Sequence, residues 1–251
     1  MSQNIYDNPD FFAGYATLPR SAEGLDGAPE WTAMQTLLPS LAGKSVIDLG
    51  CGYGWFCRWA KEQGAARVTG FDLSEKMLAK AASMTTDPDI TWLRADLETL
   101  QLPAAQSDVI YSSLALHYLR DIPALFATLF QALVAGGSLI FSAEHPIYTA
   151  PVIQNWCTDS AGNKAWPVNQ YQQEGVRISN WFADGVEKQH RKLSTWINAL
   201  ITAGFEITAM NEWGPSAAQI AANPAQIAAN PALDEEKERP MIFLLSARKP
   251  E

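Results

Sequence analysis

From Lys44 onward, short apolar runs recur along the chain: SVIDLG, RVTGFDL, ITWLRAD, SDVIYSS and, after Gly136-Gly137, SLIFSAE. Within each run the aliphatic residues stand close together, as strands buried on both faces of a sheet require. The intervening stretches have helical spacing: one from about Trp55, one in SEKMLAKAAS and one from Pro123 to Val134. Strand alternating with helix at this length feeds right-handed crossovers, so the pattern predicts an α/β fold with a doubly wound, mostly parallel, Rossmann-like sheet.

The rhythm breaks after Glu144 for about forty-five residues, and a helical pattern resumes near Leu193, ahead of GFEITAMNEW and MIFLLSARK. Residues 146–192 therefore read as an insertion after the fifth strand. Residues 1–43, with Asp7-Asn8-Pro9, Gly14 and the cluster from Gly24 to Pro29, read as an irregular lead-in whose Phe11, Phe12, Tyr15 and Trp31 need something to cover. Between the last two strands lies a tandem heptad, AQIAANP at 218–224 and 225–231, followed by an acidic run from Asp234 to Glu238. Asn-Pro closes each copy and interrupts any helix, so the repeat reads as a duplicated surface loop.

Composition narrows the function classes. The chain has 251 residues, enough for one large domain with a sizeable core. No run of 18 apolar residues provides a membrane span, and MSQNIYDNPD lacks the basic-then-apolar order of a secretion signal; a soluble cytoplasmic protein is expected. Cys51, Cys57 and Cys157 are odd in number and lack CxxC spacing, against a disulfide framework or a zinc site. A net charge of -9 opposes a phosphate backbone, so no nucleic-acid partner is expected.

The candidate chemistry begins at VIDLGCGYGWF, where Gly50, Gly52 and Gly54 follow a strand that carries Asp48 near its end. Glycines there let the backbone turn sharply and approach a ligand. Dinucleotide loops want GxGxxG; GxGxG with Trp at position 55 disfavours NAD and FAD. Asp72, in GFDLS, ends the next strand, where a carboxylate can accept from both ribose hydroxyls, and Ser74 caps the helix that follows. Asp96, in RADLETL, ends the third strand, where an acceptor can meet an adenine amino group. Each carboxylate alone has a structural reading, because Asp commonly ends strands and caps helices. Together with the glycine loop they converge on one crevice.

These residues resemble the class I S-adenosylmethionine-dependent methyltransferases, with DLGCGYG as the cofactor loop, GFDLSEKML as the ribose segment and RADLETL as the adenine segment. YSSLALHYL resembles the fourth motif, and LVAGGSLIFS the glycine turn before the fifth strand. The resemblance covers about Lys44 to Glu144 and implies a seven-stranded sheet with an antiparallel closing strand. It implies S-adenosyl-L-methionine as cofactor, with S-adenosyl-L-homocysteine as product. Gly50, Gly52 and neighbouring backbone would line its methionine part, Asp72 its ribose, and Asp96 with Leu97 its adenine. Asp48, Cys51, Leu73 and Met77 of the same segments join the cofactor-binding set, and Ser112 and His117 fall near the sulfonium. In the lead-in, Tyr15 and Arg20 are candidates for closing over the cofactor, Arg20 on its carboxylate.

Methyl transfer from a sulfonium needs an aligned nucleophile and exclusion of water, and a base only where the acceptor arrives protonated. His117 and His145 both fall near strand ends that face the crevice, and either has a suitable unperturbed pKa. His145 has an alternative reading as a turn residue bonded to nearby backbone before Pro146 redirects the chain. His190, in KQHRK, reads as part of a solvated basic stretch. The insertion carries Tyr148, Trp156, Trp166, Tyr171, Trp181 and Phe182, with five basic side chains against four acidic ones. It reads as a lid for a small, partly apolar acceptor or as a satellite core. The competing classes are a cofactor-binding protein without transfer activity and an RNA or protein methyltransferase. A dehydrogenase stands last because of the GxGxG spacing.

Overall fold

The computed structural model describes residues 3–222 and 236–251. Much of the tandem heptad, with Asp234 and Glu235 of the acidic run, lies outside the described residues. Five strands appear where the apolar runs predict them: β1 (Ser45–Leu49), β2 (Arg67–Asp72), β3 (Ile90–Arg94), β4 (Ser107–Ser113) and β5 (Leu133–Glu144). The insertion contributes β6 (Cys157–Thr158), β7 (Lys164–Ala165), β8 (Gly175–Trp181) and β9 (Ala183–His190), and the chain closes with β10 (Glu206–Trp213) and β11 (Ile242–Arg248). Among the described residues the main sheet has seven strands in the order β10-β11-β5-β4-β1-β2-β3. From β5 to β3 every pairing is parallel, and β11 runs antiparallel to both of its neighbours. The strand order reverses direction between β1 and β4, and the carboxyl ends of those two strands open the crevice in which such sheets take ligands.

The helices are α1 (Pro9–Ala16), α2 (Pro19–Ala22), α3 (Trp31–Gln35), α4 (Trp55–Glu62), α5 (Glu75–Ser83), α6 (Ile122–Ala132), α7 (Pro146–Thr149), α8 (Leu193–Ala203) and α9 (Ala217–Ala222). Helix α6 buries Ile122, Leu125, Phe126, Leu129 and Ala132, a stripe at helical spacing, and Asp121 caps it by accepting from the Ala124 N–H. It stops two residues short of the expected Val134, because Leu133 is already extended and opens β5. One face of the sheet packs on α6 and α8, where Trp196 lies against Phe126, Phe141 and Phe243. The other face packs on α3 and α4, where Phe56 stacks on Tyr111 at 3.6 Å and Trp31 meets Trp59 edge-on. No helix among the described residues is long and apolar enough to cross a membrane.

The insertion folds as a short helix and two hairpins, β6 with β7 and β8 with β9. KQHRK is not a solvated basic stretch. Lys188, His190 and Arg191 are all buried. The imidazole of His190 lies between the Thr149 hydroxyl, 2.7 Å from Nδ1, and the Tyr171 carbonyl, 2.9 Å from Nε2. Arg191 donates to the carbonyls of Leu119 and Arg120, and Lys188 to the carboxylate of Glu144. Run length and charge in sequence carry no sign of these partners, all of which lie at least nineteen residues away.

Trp196→Ala is expected to cost about 3–5 kcal/mol by opening a cavity at the α8 face of the sheet. Urea denaturation checks this, and an unchanged midpoint would show that Trp196 is not part of the core.

Candidate functional site

The loop after β1 is shaped by its glycines. Gly52 has φ of +53°, and a side chain built there would meet only the Tyr15 hydroxyl, at 4.0 Å, so this part of the loop faces open space. Gly54 is equally left-handed, at +68°, but the Trp92 ring comes within 2.2 Å of the position a Cβ would take. The first glycine leaves open space beside the loop, and the second lets the Trp92 ring pack against the backbone. The loop is tied to β2 by its own amides: those of Gly50 and Cys51 donate to the Phe71 carbonyl at 2.8 and 2.9 Å, and that of Gly52 to Asp72 Oδ2 at 2.8 Å. The Ser74 N–H donates to Asp72 Oδ1 at 2.9 Å.

These bonds stabilise the Asp72 carboxylate, yet burial outweighs them and pushes its pKa up to about 6. Asp48, near the end of β1, is buried, and among the described residues only the Cys57 thiol donates to it, at 3.3 Å. Burial, opposed by that thiol and assisted by the charge of Asp72, pushes Asp48 up to about 7. Two carboxylates thus share a desolvated site, with the nearby guanidinium of Arg20 engaged by the carboxylate of Glu30 at 3.0 and 3.1 Å. Arg20 lines the cavity, but its fork faces Glu30, contrary to the expectation that it reaches out to a ligand carboxylate.

A cavity of about 1040 Å³ runs from this loop to the insertion. Asp48, Gly50, Cys51 and Gly52 line it from the loop. Asp72, Leu73 and Met77 line it from β2 and α5, Asp96 and Leu97 from the segment after β3, and Tyr15 from the lead-in. His117 also lines it, from the turn at Leu116–Tyr118.

Two expected residues are not among the lining residues. Ser112 is fully buried and donates to the Leu49 carbonyl at 2.8 Å, tying β4 to β1. Side chains alternate along a strand, so Ser113, the next residue, faces the cavity instead. His145 caps α7: its Nδ1 accepts from the Ile147 N–H at 3.0 Å, and its Nε2 lies 2.8 Å from Glu212 Oε1. Both ring nitrogens are engaged, as the turn reading of SAEHPIY requires. Neither side chain is placed to meet a ligand.

His117 is buried, and burial pushes its pKa down to about 4, so the ring is neutral near pH 7. Nδ1 accepts from the Glu144 N–H at 3.4 Å, which puts the ring proton on Nε2, 4.0 Å from Glu144 Oε1. In that tautomer the ring donates toward the cavity end.

Tyr6, Tyr118 and Lys188 also line the cavity, though sequence reasoning did not single them out, and so does Trp181, which was expected in a lid or a satellite core. The Tyr6 hydroxyl donates to that of Tyr118 at 3.2 Å, and the Tyr6 ring packs edge-on against Tyr15 at 5.3 Å. Trp181, near the tip of the β8–β9 hairpin, packs against Tyr15 and Phe11. Lys188 donates to Glu144 Oε1. Burial opposes both charges, but each ion holds the other: the Glu144 carboxyl stays below its ordinary range and the Lys188 ammonium above. Glu144 is the one member of this group that SAEHPIY flags, while its partner stands 44 residues later.

Residues 47–141 match the family described as Methyltransferase domain. The chain is 36% identical to an uncharacterized protein of Haemophilus influenzae, with 99% of this chain and 98% of that one aligned. It is 51% identical to an S-adenosylmethionine dependent methyltransferase from Mesorhizobium loti, whose crystal structure superposes with a TM-score of 0.82 over 90% of this chain and 100% of that one. With the malonyl-acyl-carrier protein O-methyltransferase of Serratia marcescens it shares 37% identity over 100 residues, 40% of this chain and 38% of that one.

Because Ser112 and His145 bond to backbone, Ser112→Ala and His145→Ala are each expected to cost about 1 kcal/mol of stability. Denaturant midpoints test this, and an unchanged midpoint would show that the hydroxyl or the ring does not hold its backbone partner.

Proposed function

The chain belongs to the S-adenosylmethionine-dependent methyltransferases, and from that premise we propose that it moves a methyl group to a small, partly apolar acceptor held in the same cavity as the cofactor. The observation that carries this reading is the continuity of the cavity. Asp48, Asp72 and Asp96 line one part of it and Glu144, with Lys188 bonded to it, another, and Tyr6, Tyr118 and Trp181 line it as well.

The residues present fit S-adenosyl-L-methionine. Each oxygen of Asp72 already accepts one backbone N–H and keeps capacity for a ribose hydroxyl, and Gly52 leaves room for close approach. Burial has raised Asp48 and Asp72, and a ligand carrying sulfonium and ammonium charges supplies the countercharge that would keep both ionised. When bound, the cofactor contributes an electrophilic methyl group. The work left to this chain is placement. Asp72 and the Gly52 loop hold the ribose side, and Asp96 with Leu97 the adenine side.

The aromatic wall of Tyr6, Tyr15 and Trp181 orients the acceptor and keeps water out. Holding a nucleophile in near-attack geometry accounts for much of the barrier lowering in such displacements. On this reading residues 1–43 cap the cofactor and 146–192 form the lid. Trp181 and Phe182 at the tip of the inserted hairpin meet Phe11 of the lead-in at 5.4 and 6.1 Å, which supports the two acting as one cover. The net charge of -9 and the cover argue for a small acceptor over a nucleic acid. The free thiols of Cys51, Cys57 and Cys157 are compatible with a reducing cytoplasm.

Thermal unfolding is the direct test. S-adenosyl-L-methionine or S-adenosyl-L-homocysteine at about 100 times its dissociation constant should stabilise the chain by about 2.7 kcal/mol, with no shift from NAD. Absence of a shift with both sulfur compounds would overturn the reading.

Affinity for S-adenosyl-L-methionine should also depend on pH. Without ligand, Asp48 and Asp72 take up protons as pH falls through about 7 and about 6. A cationic ligand prefers the ionised forms, so affinity should rise from about pH 5 to about pH 8 and level off above. Calorimetric titration across that range checks the slope. S-adenosyl-L-homocysteine, which lacks the sulfonium charge, should give a shallower curve; equal or falling curves would show that these carboxylates do not face the charge.

A further inference from the structure

The far end of the cavity is closed by side chains from three separate segments: His117 after β4, Glu144 at the end of β5 and Lys188 on β9. Their charges are already matched. Lys188 bonds Glu144 Oε1 from a buried position. The other oxygen, Oε2, is buried and has no hydrogen-bond partner among the described residues. A buried carboxylate oxygen ordinarily has a donor, so Glu144, which lines the cavity with 12% of its side chain exposed, has acceptor capacity left over. His117 Nε2 lies 4.0 Å from Oε1, and the Tyr118 ring packs on the His117 ring at 4.5 Å, with its hydroxyl accepting from Tyr6 and keeping its own O–H to donate. The rings of Tyr6, Tyr118 and Trp181 give this end aromatic walls.

We propose that Glu144 is the acceptor-recognising group: the acceptor is a non-anionic molecule with a flat apolar body that presents an O–H or N–H to the Glu144 carboxylate, and carboxylate acceptors are rejected. This rests on the reading of the cavity as a methyl-transfer site. A carboxylate ligand would need the ammonium of Lys188, but Glu144 already occupies it, and the ligand's charge would lie beside a second anion in a desolvated space. A hydroxyl or amine meets no such conflict. It donates to Glu144. Specificity of this kind is a repulsion built against one ligand class as much as an attraction toward another.

Benzylamine, benzyl alcohol and benzoate are probes of nearly one shape that differ in the group they present. Their binding to the full chain saturated with S-adenosyl-L-homocysteine can be measured by calorimetry. The wild type should bind benzylamine and benzyl alcohol at least about tenfold more tightly than benzoate. Glu144→Gln removes the anion and releases the Lys188 charge, so benzylamine should weaken about tenfold or more and benzoate should become the tightest of the three. In the paired variant Glu144→Gln/Lys188→Met both charges are gone, and benzylamine and benzoate should each lose their advantage. Thermal stabilisation by S-adenosyl-L-homocysteine, retained in each variant, shows that the fold and the Asp72 end survive. The proposal is overturned if benzoate matches benzylamine in the wild type, if none of the three binds, or if Glu144→Gln leaves the order unchanged. Failure of S-adenosyl-L-homocysteine to stabilise the wild type would sink the methyl-transfer reading instead, and the order of the three probes is then read on the chain without it.

Discussion

The site depends on the join between the loop after β1 and the end of β2. Three successive amides, of Gly50, Cys51 and Gly52, point at acceptors on Phe71 and Asp72. Positive φ at Gly50 and Gly52 aims them there, at +73° and +53°, a conformation that costs L side chains energy and glycine little. Fixing the loop to β2 fixes Asp72 as well, because its Oδ2 takes one of the three bonds. The carboxylate then sits in a desolvated place it would not occupy alone, and its raised pKa is the electrostatic mark of that constraint. The fold holds an unfavourable charge ready, and a cationic ligand relieves it.

A different device closes the opposite end. The insertion has its own aromatic cluster of Tyr148, Trp156 and Trp166, and it is further anchored by charged side chains that bond within it and to neighbouring segments. Arg191 donates to the Leu119 and Arg120 carbonyls, Arg177 to those of Ala150 and Gln173, and Lys188 to Glu144. Burying such groups is costly, and breaking one partner of a buried ion pair typically destabilises by about 3–5 kcal/mol. These ties therefore define the position of the hairpin sharply. Trp181 at its tip is thereby held against Phe11 and Tyr15 of the lead-in.

This contrast explains what could be read from the sequence. The central sheet and the glycine loop were legible because their signals are local: apolar runs of strand length, glycines at fixed offsets, Asp48 and Asp72 near the ends of their strands. Ser112 was misplaced by one position, since resemblance points to the segment and only strand alternation decides whether Ser112 or Ser113 faces the crevice. His145 was caught in its structural alternative, with Pro146 as the clue. Lys188, His190 and Arg191 were opaque, because the groups that make burial of a basic side chain tolerable, Glu144, Tyr171 and the Leu119 carbonyl, lie far away in sequence. Tyr6 carried no signal beyond being aromatic in a segment that had to cover something.

The two ends of the cavity differ in how their charge is matched, and the difference assigns their ligands. Asp48 and Asp72 face the cavity with backbone or thiol donors and no cation bonded to them among the described residues, so on the proposed reading a positive ligand completes that end. Glu144 has its cation in Lys188 and lacks only a hydrogen bond on one oxygen, so that end is complete when a polar group arrives that brings no negative charge. A cavity lined by carboxylates at both ends, in a chain of net charge -9, would otherwise repel anions uniformly and choose poorly among cations. Pairing Glu144 with Lys188, while Asp48 and Asp72 have only thiol or backbone donors among the described residues, makes the two parts chemically distinct, as the proposed binding of two unlike ligands head to head demands.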